Sequence, residues 1–370
     1  MDSTVLFVGG MVLGAVLASF LSLIFKQKEM LDISGRNRVI VERLSQGPRV
    51  VAIGGGTGLS ALLLGLKVFT RNITAIVTVT DEGGSSGRLR TEWGVLPPGD
   101  IRNCLVALAE NDSSLNRILN FRFDRGELKG HSLGNLIMLA MAEMHGDFSK
   151  AIEEMNHLLA IRGRVLPVTN ETVSLTGKLK NGERVRGELE ISTLGTHISE
   201  LWLEPGDSSP QEEVLTSLDD ADLIVLGPGS LFTSVIPNLL FPEVAKKIMD
   251  VQAPKVYVAN LMTQPGETEA FTVIDHVNWL ATLSGVIPDI IVVNETKIPQ
   301  KVLDAYFKDN SVPLDLSGEQ EAILRKKNIH IIKGNFLDLK NGHTIRHHSV
   351  NLAETLIAII REQGSPLWKS

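Results

Sequence analysis

The stretch RVVAIGGGTGLS, residues 49–60, decides the fold. Its first five residues form a short apolar run typical of the buried strands of parallel sheets, and four glycines follow within the next five positions. The apolar segment that continues to Leu66 has the length and composition of a helix. A strand, a glycine loop and a helix in this order indicate the first unit of a doubly wound α/β fold.

Similar units follow along the chain. Further strands are predicted at 73–79, 222–226, 255–259, 289–293 and 329–332, and helices at 101–110, 133–144, 148–159, from about 242, and at 350–363. This alternation implies a mostly parallel sheet covered by helices. We therefore predict one large domain over 49–370.

Residues from about 165 to 205 break this pattern. Between Thr172 and Ser192 apolar and polar residues alternate, and Asn181-Gly182 separates two such runs. Asn-Gly between alternating runs favours a tight hairpin turn. We predict a small antiparallel hairpin inserted into the parallel fold.

The composition excludes several classes of protein. The 370 residues carry a net charge of −7 without a basic block, which argues against a nucleic-acid partner. Cys104 is the only cysteine, so neither an internal disulfide nor a cysteine-built metal site can form. A reducing compartment fits this cysteine usage best.

The amino-terminal residues differ from the rest. Residues 4–25 contain no charge and are long enough to cross a bilayer as a helix. Positive residues follow the span, at Lys26, Lys28, Arg36, Arg38 and Arg43, which by the positive-inside rule puts the bulk of the chain in the cytoplasm. We predict an anchor over 4–25, a juxtamembrane linker over 26–48 and a location at the inner face of the cell membrane; without the anchor the location would be cytoplasmic.

Small residues recur every four positions in this span, at Gly10, Gly14, Ala18 and Ser22. Such a stripe lets two membrane helices pack closely, which would give a homodimer. The alternative interpretation is that small residues are simply common in membrane helices.

The first glycine loop has the chemistry of a phosphate site. Glycines let the backbone approach an anion, and the next helix presents free N–H groups and a positive dipole end. Leu59 stands where a dinucleotide fingerprint has its third glycine, and the loop lacks the lysine of a Walker loop. The predicted ligand contacts are Gly54, Gly55, Gly56, Thr57 and Gly58.

An acidic, hydroxyl-rich loop, residues 81–88, follows the second strand. Asp81 or Glu82 is a candidate ligand for Mg²⁺ or Mn²⁺, which prefer oxygen donors and accompany phosphates. In a nicotinamide-binding fold Asp81 would instead hold a ribose hydroxyl. Arg88 is a candidate for bidentate pairing with a phosphate.

Two further motifs begin predicted helices, PPGDIRN at 97–103 and HSLGN at 131–135. We interpret Asp100 as a helix cap, and we interpret His131 as structural rather than catalytic. The candidates for ligand contact in these motifs are Arg102, Asn103 and Asn135.

A second glycine loop follows the strand at 222–226, and its hydroxyl groups lie beside backbone donors. We interpret it as another anion cradle, so that main-chain amides of two loops would grip a pyrophosphate. The polar stretch 260–268 after the next strand would read a sugar or a base edge. The predicted contacts are Gly227, Gly229, Ser230, Thr233, Ser234, Asn260 and Thr263.

Together, these motifs resemble the gluconeogenesis factor family (the YvcK type), which is related to 2-phospho-L-lactate transferase (the CofD type). The resemblance covers Arg49 to the carboxyl terminus and implies a Rossmann-like core with a nucleoside diphosphate ligand. For the gluconeogenesis factor branch it implies a UDP-sugar such as UDP-N-acetylglucosamine, and a link to cell shape and envelope synthesis on gluconeogenic carbon sources. The matching stretches are Gly54–Ser60, Asp81–Arg90, Pro97–Asn103, His131–Asn135, Gly227–Ser234 and Asn260–Thr268.

For the transferase branch the resemblance implies a divalent metal near the acidic loop, matched here by Asp81, and a deazaflavin acceptor. Three functions are therefore open. The favoured one is a UDP-sugar-binding regulator of unidentified envelope-synthesis proteins, since the 260–268 stretch matches that branch. The second is a metal-dependent transferase acting on a nucleoside diphosphate substrate. The third, a nicotinamide-dependent oxidoreductase, is disfavoured by the missing third glycine and by the second glycine loop.

Overall fold

The computed structural model describes residues 42–110 and 114–363. Seven strands form the central sheet, and every neighbouring pair in it is parallel. The predicted doubly wound α/β architecture is therefore confirmed. The strands are β1 (Val50–Gly54), β2 (Ile73–Val77), β3 (Arg164–Pro167), β4 (Ser174–Leu179), β5 (Arg184–Arg186), β6 (Ile198–Glu204), β7 (Leu223–Leu226), β8 (Lys255–Val258), β9 (Ile290–Asn294), β10 (His330–Gly334), β11 (Leu337–Lys340) and β12 (Thr344–His347).

Helices connect these strands, and their apolar faces cover the sheet. Within Pro48–Ser370 the described helices are Gly56–Leu66, Gly84–Trp93, Pro98–Leu108, Ser114–Leu119, Leu133–His145, Phe148–Leu159, Glu188–Leu194, Glu212–Asp219, Ile236–Leu239, Pro242–Asp250, Val273–Ser284, Gln300–Tyr306, Gly318–Lys326 and Ser349–Gln363. Single turns of tighter or wider helix cover Gly195–His197, Leu231–Val235 and Phe307–Asp309.

The strand order of the main sheet is β10-β9-β8-β7-β1-β2-β3. From β1 the chain runs outward through β2 to β3, and it later returns to the other side of β1 at β7 before running outward to β10. The direction of winding therefore switches between β1 and β7. In open α/β sheets the crevice outside the carboxyl ends of the strands at such a switch is the usual place for a ligand.

The centre of the sheet is fully buried. Every residue of β1, β2 and β7 is buried, which explains why these strands read as continuous apolar runs rather than alternating ones. The helix Gly56–Leu66 covers β1 and packs closely against the carboxyl-terminal helix. At Gly65 a Cβ atom would lie 1.9 Å from the carbonyl oxygen of Ser349, so this contact requires glycine.

The antiparallel insertion is confirmed with different bounds. β3 pairs with β2 in the parallel sheet, so the insertion begins after it and forms a three-stranded sheet in the order β5-β4-β6. The predicted turn lies at Asn181-Gly182, where Gly182 has a φ of +88°. The second arm of the hairpin is shorter than predicted, because Gly187 (φ +103°) ends β5 and the helix Glu188–Leu194 follows.

Two other elements differ from the sequence interpretation. The stretch predicted as a loop at 81–88 is helical from Gly84 onward, in the helix Gly84–Trp93. Its buried face begins with Ser85, Ser86 and Gly87, which carry no apolar periodicity. The antiparallel pair β11–β12 was not predicted at all.

The chain divides into two compact units, Met1–Gly47 and Pro48–Ser370. In the first unit residues 42–45 are helical. The predicted anchor at 4–25 lies outside the described residues, as does most of the predicted linker. No helix in the described part of the chain is both long and apolar enough to span a membrane.

Candidate functional site

A cleft of about 540 Å³ opens at the switch point of the sheet. The loops after β1 and β7 line one part of it, residues 260–265 after β8 line another, and parts of 306–311 and 345–347 complete its rim. We call this the glycine-loop cleft. The predicted ligand residues that line it are Gly55, Gly56, Thr57, Gly58, Gly229, Ser230, Ser234, Asn260 and Thr263.

The two glycine loops lie in direct contact. β1 and β7 are neighbours, with Ile53 paired to Leu226, so both loops leave the sheet at the same place. A Cβ atom on Gly58 would lie 2.4 Å from the carbonyl oxygen of Pro228, and one on Gly229 would lie 3.5 Å from that of Gly55. The backbones can approach this closely only because Gly58 has no side chain.

The first loop offers free backbone donors. It begins the helix Gly56–Leu66, whose N-cap residue, Gly55, has no side chain to make a capping hydrogen bond. The Gly56 N–H donates to the carboxyl group of Asp100. The N–H groups of Thr57 and Gly58, in the first turn, have no acceptor within the helix and lie on the cleft wall.

The second loop differs from the predicted amide cradle, because internal acceptors already take the N–H groups of Gly227, Gly229 and Phe232. Gly227 N–H donates to the carbonyl oxygen of Ile53 at 2.9 Å, and Gly229 N–H donates to Asn260 Oδ1 at 3.2 Å. Phe232 N–H donates to Glu267 Oε1 at 2.7 Å. This loop therefore shapes the cleft more than it offers amides to a ligand.

Two predicted contacts, Asn260 and Thr263, hold neighbouring segments in place. Asn260 makes two hydrogen bonds to the backbone of Gly229. Its Oδ1 accepts the Gly229 N–H at 3.2 Å, and its Nδ2 donates to the Gly229 carbonyl oxygen at 2.9 Å. Thr263 Oγ1 accepts from the N–H of Val312 at 3.0 Å, and its own N–H donates to the Val312 carbonyl oxygen at 2.8 Å. Both side chains line the cleft, but much of their hydrogen-bonding capacity is already used.

The rim supplies residues that the sequence interpretation missed. Arg346 on β12 is exposed and is the only Lys or Arg among the described residues that line the cleft. Burial lowers the pKa of its neighbour His347 to about 4, so that imidazole is neutral at pH 7. Tyr306 also lines the cleft, and its hydroxyl accepts the N–H of Ile345 at 3.0 Å. One permanent positive charge thus lies beside the free amides of the first loop.

A second cavity of about 250 Å³ adjoins the cleft. The two share the lining residues Gly56, Ser230, Ser234 and Gln264. We call it the acidic pocket, because carboxyl groups from four separate segments line it: Asp81, Asp100, Glu188 and Glu267. The predicted contact Thr233 lines this pocket too.

Each acidic side chain is held by a different element. Asp81 follows β2, and its Oδ1 accepts the N–H of Gly83 at 2.8 Å. Glu188 begins the insertion helix, and its N–H donates to Glu82 Oε2 at 3.1 Å. Glu267 is buried and accepts the hydroxyl of Ser230 at 2.5 Å. The pocket therefore exists only because the insertion and the main sheet meet there.

The interpretation of Asp100 as a helix cap is wrong. Pro97 is the N-cap residue of its helix, and no side chain makes a capping hydrogen bond there. Asp100 instead points at the first glycine loop, where a Cβ on Gly55 would lie 2.6 Å from Asp100 Oδ2. It joins that loop to the acidic pocket.

Crowding of carboxyl groups favours their neutral forms. Burial, and secondly the charge of Asp81, raise the pKa of Asp100 to about 7. The same two causes, in the same order, raise the pKa of Glu188 to about 7. Burial also raises the pKa of Glu267, against the hydrogen bonds that it accepts. The net charge of the pocket therefore changes near neutral pH.

The donor set of the acidic pocket fits a hard divalent cation in chemical type, since Mg²⁺ and Mn²⁺ take oxygen ligands. Within the residues that the structure describes, no three His, Cys, Asp or Glu side chains converge as metal ligands. The carboxyl groups of Asp81, Asp100 and Glu188 line the pocket beside the first glycine loop, but they do not form a set of three ligands around one point.

Six predicted ligand residues line neither cavity: Gly54, Arg88, Arg102, Asn103, Asn135 and Gly227. Arg88 is exposed, and its Nη2 donates to the carbonyl oxygen of Lys129 at 2.8 Å. Arg102 is buried and donates to Asn103 Oδ1 at 2.5 Å, so the residues of this pair bind each other.

The HSLGN motif joins a buried polar network. His131 Nδ1 lies 3.0 Å from Ser85 Oγ, and Asn135 Nδ2 donates to the same oxygen at 3.1 Å. Arg102 also donates to Ser132 Oγ. These contacts hold the helices Gly84–Trp93 and Pro98–Leu108 against the start of the helix Leu133–His145, so the motif supports the site through position rather than contact.

The sequence model of the family described as 2-phospho-L-lactate transferase CofD matches residues 50–337 of this chain. The gluconeogenesis factor of Bacillus subtilis (strain 168) is 42% identical over 321 residues, which are 86% of this chain and 100% of that protein. The chain belongs to the gluconeogenesis factor family. The resemblance stated from the motifs is thereby confirmed.

Two further relatives agree with this assignment. The gluconeogenesis factor of Halalkalibacterium halodurans is 44% identical over 323 residues, 87% of this chain and 98% of that protein. A crystal structure of a UPF0052 family protein from Bacillus halodurans superposes with a TM-score of 0.80 at 42% identity, covering 84% of this chain and 99% of that chain.

The raised pKa of Asp100 predicts that the stability of the folded protein depends on pH. Because Asp100 has a folded pKa of about 7 and an unfolded pKa of about 4, the folded state binds more protons between these values. The free energy of unfolding therefore falls as pH rises through this window. We expect Asp100→Asn to raise it by about 2–4 kcal/mol at pH 8 and much less at pH 5, in urea denaturation.

The matched control is Asp250→Asn, which removes an exposed carboxyl at the end of a surface helix. It should leave the pH dependence of the wild type unchanged. An equal gain from Asp100→Asn at pH 5 and pH 8 would contradict the assignment.

Proposed function

We propose that this protein binds a nucleoside diphosphate sugar, UDP-N-acetylglucosamine or a close relative, in the glycine-loop cleft. The observation that carries the proposal is the position of free first-turn amides and a single arginine in one cleft at the switch point of the sheet. A diphosphate needs several donors and a positive charge, and this cleft supplies both.

The phosphates would lie at the amino end of the helix Gly56–Leu66. The N–H groups of Thr57 and Gly58 and the positive end of the helix dipole favour an anion there. Arg346 adds a guanidinium group, which is always charged and matches the oxygen atoms of a phosphate.

The nucleoside would lie along the apolar part of the cleft. Leu261, Met262 and Ile345 line this part, together with the ring of Tyr306. A base buries its flat faces against such side chains and uses a few polar groups for orientation. A volume of about 540 Å³ falls within the range of small-molecule sites.

Membership of the gluconeogenesis factor family supports a role in growth on gluconeogenic carbon sources. We extend the proposal to regulation: the UDP-sugar reports the supply of envelope precursors, and the loaded protein adjusts envelope synthesis and cell shape through partner proteins.

Titration calorimetry tests the ligand assignment. Wild-type protein should bind UDP-N-acetylglucosamine, and Arg346→Ala should weaken binding about tenfold or more, because a charged hydrogen-bond donor to the diphosphate is lost. The matched control is Arg325→Ala, which removes an exposed arginine whose partner is Glu321 on the same helix. Absence of binding by the wild type at millimolar ligand would refute the proposal.

A second candidate function is the metal-dependent transfer of a sugar phosphate from a nucleoside diphosphate sugar to an alcohol acceptor. The bond between the two phosphorus groups breaks, the acceptor oxygen bonds the sugar-bearing phosphorus and loses its proton, and the nucleoside monophosphate leaves. The observation that favours this transfer is the acidic pocket beside the first glycine loop, together with the CofD family match. A divalent ion bound there would neutralise charge that develops on the phosphate oxygens, and Asp81 is the carboxyl group that we propose as its ligand.

If this transfer occurs, phosphorus NMR of a nucleoside diphosphate sugar, Mg²⁺, an alcohol acceptor such as a deazaflavin and the protein should show new resonances of a phosphodiester and of the nucleoside monophosphate. We expect Asp81→Asn to reduce their rate of appearance at least about 100-fold while circular dichroism stays unchanged. The control is Asp220→Asn. This residue lies just before β7, at the opposite end of the strand from the site, and the variant should retain full turnover. Unchanged turnover in Asp81→Asn would dismiss the role of that carboxylate.

We also propose that residues 4–25 anchor the protein at the inner face of the membrane, on the strength of their uncharged sequence. After lysis and centrifugation the full chain should sediment with the membranes and resist extraction by alkaline carbonate. A chain that starts at residue 42 is expected in the supernatant. Recovery of the full chain in the supernatant would show that residues 4–25 do not insert.

A further inference from the structure

We infer that the acidic pocket is the sugar subsite, in which Asp81, Glu188, Ser192 and Gln264 recognise hydroxyl groups of the sugar that the nucleoside diphosphate carries. This inference rests on the function proposed above and adds which residues choose the sugar. It also gives the antiparallel insertion a role, since Glu188 and Ser192 belong to it.

The two cavities are continuous. Gly56, Ser230, Ser234 and Gln264 line both of them. A diphosphate held at the first turn of the helix Gly56–Leu66 therefore lies at the boundary between the cleft and the pocket. A group attached to its outer phosphate would therefore lie next to the acidic pocket.

The two cavities have linings of different chemistry, and each suits a different part of the ligand. The glycine-loop cleft contains the apolar side chains of Leu261, Met262 and Ile345, which suit the faces of a base. The acidic pocket is lined by glycine and by carboxyl, hydroxyl and amide groups alone within the described residues. Such a surface suits a group that presents hydroxyls in every direction, as a pyranose does.

Charge disfavours the opposite orientation. A diphosphate in the acidic pocket would face the carboxyl groups of Asp81, Asp100 and Glu188, and like charges at this range are strongly unfavourable. Sugar hydroxyls donate hydrogen bonds, and carboxylates are the strongest acceptors that a protein offers them. The phosphates therefore stay at the amide side, near Thr57 and Gly58.

The insertion forms a fixed wall of the pocket. Its helix begins where Glu82 accepts the N–H of Glu188, and its end packs on the loop that carries Glu267. A Cβ atom on Gly195 would lie 2.6 Å from the carbonyl oxygen of Glu267, and Thr196 N–H donates to the Gly266 carbonyl oxygen at 3.3 Å. Glu188 and Ser192 are thus held over the pocket before any ligand arrives.

The test compares two probes, UDP and UDP-N-acetylglucosamine, by titration calorimetry of the full chain in the presence of EDTA. Glu188→Ala should weaken binding of UDP-N-acetylglucosamine about tenfold, because hydrogen bonds to the sugar are lost. Its affinity for UDP should change less than about twofold. Ser192→Ala is the second variant and should shift only the sugar-bearing probe in the same direction.

The matched control is Glu190→Gln, in the same helix but exposed and outside both cavities. It should bind both probes as the wild type does. Equal weakening of both probes by Glu188→Ala, or no weakening of either, would overturn the inference while leaving the proposed function intact. A selective loss that appears only when Mg²⁺ replaces EDTA would overturn it in favour of a metal site. Failure of the wild type to bind either probe refutes the proposed function itself.

Discussion

The contact between two backbone turns, Gly58 against the carbonyl oxygen of Pro228, is the constraint on which the rest of the site depends. It exists because β1 and β7, which are separated by more than 150 residues in sequence, are neighbours at the centre of the sheet. With the turns in contact, the free amides of the first loop, the loop after β8 and the rim at Arg346 surround one cavity. A side chain at position 58 would separate the turns, and the cavity would lose the shape that brings these groups together.

Sequence reasoning succeeded where local chemistry decides the structure. The apolar run at 50–53 followed by glycines specifies a buried strand and a turn within a dozen residues, and the helix Phe148–Leu159 carries its own Asp147 cap and apolar periodicity. Sequence reasoning failed where the buried side chains are polar. The face of the helix Gly84–Trp93 buries Ser85 and Ser86, which are stabilised by hydrogen bonds to distant groups, so hydrophobic periodicity gives no signal there.

The candidate site shows the same division. The glycines that line the cleft were found, because a turn that approaches an anion has a recognisable local composition. Glu188 and Arg346 were missed, because they belong to segments outside the strand–helix pattern. Glu188 lies in the helix of the insertion and Arg346 lies in the β11–β12 pair, and neither is surrounded by residues that resemble a binding motif. The error at Asp100 has a related cause. A carboxylate in the first turn of a helix normally suggests capping, but the tertiary fold supplies it with the Gly56 N–H as a partner.

Internal carboxyl groups explain why the loops keep their shape without a ligand. Asp100 takes the Gly56 N–H of the first loop, and Glu267 takes the Phe232 N–H and the Ser230 hydroxyl of the second. These carboxyl groups accept hydrogen bonds from donors that an anionic ligand would otherwise have to orient. The N–H groups of Thr57 and Gly58 in the first loop keep no acceptor within the helix. Burial of the acids costs stability, as their raised pKa values indicate, and in return the loops are ordered in advance. A ligand that meets a preorganised cleft loses less entropy on binding, so the acidic residues would contribute to the affinity for the proposed diphosphate ligand without touching its phosphates.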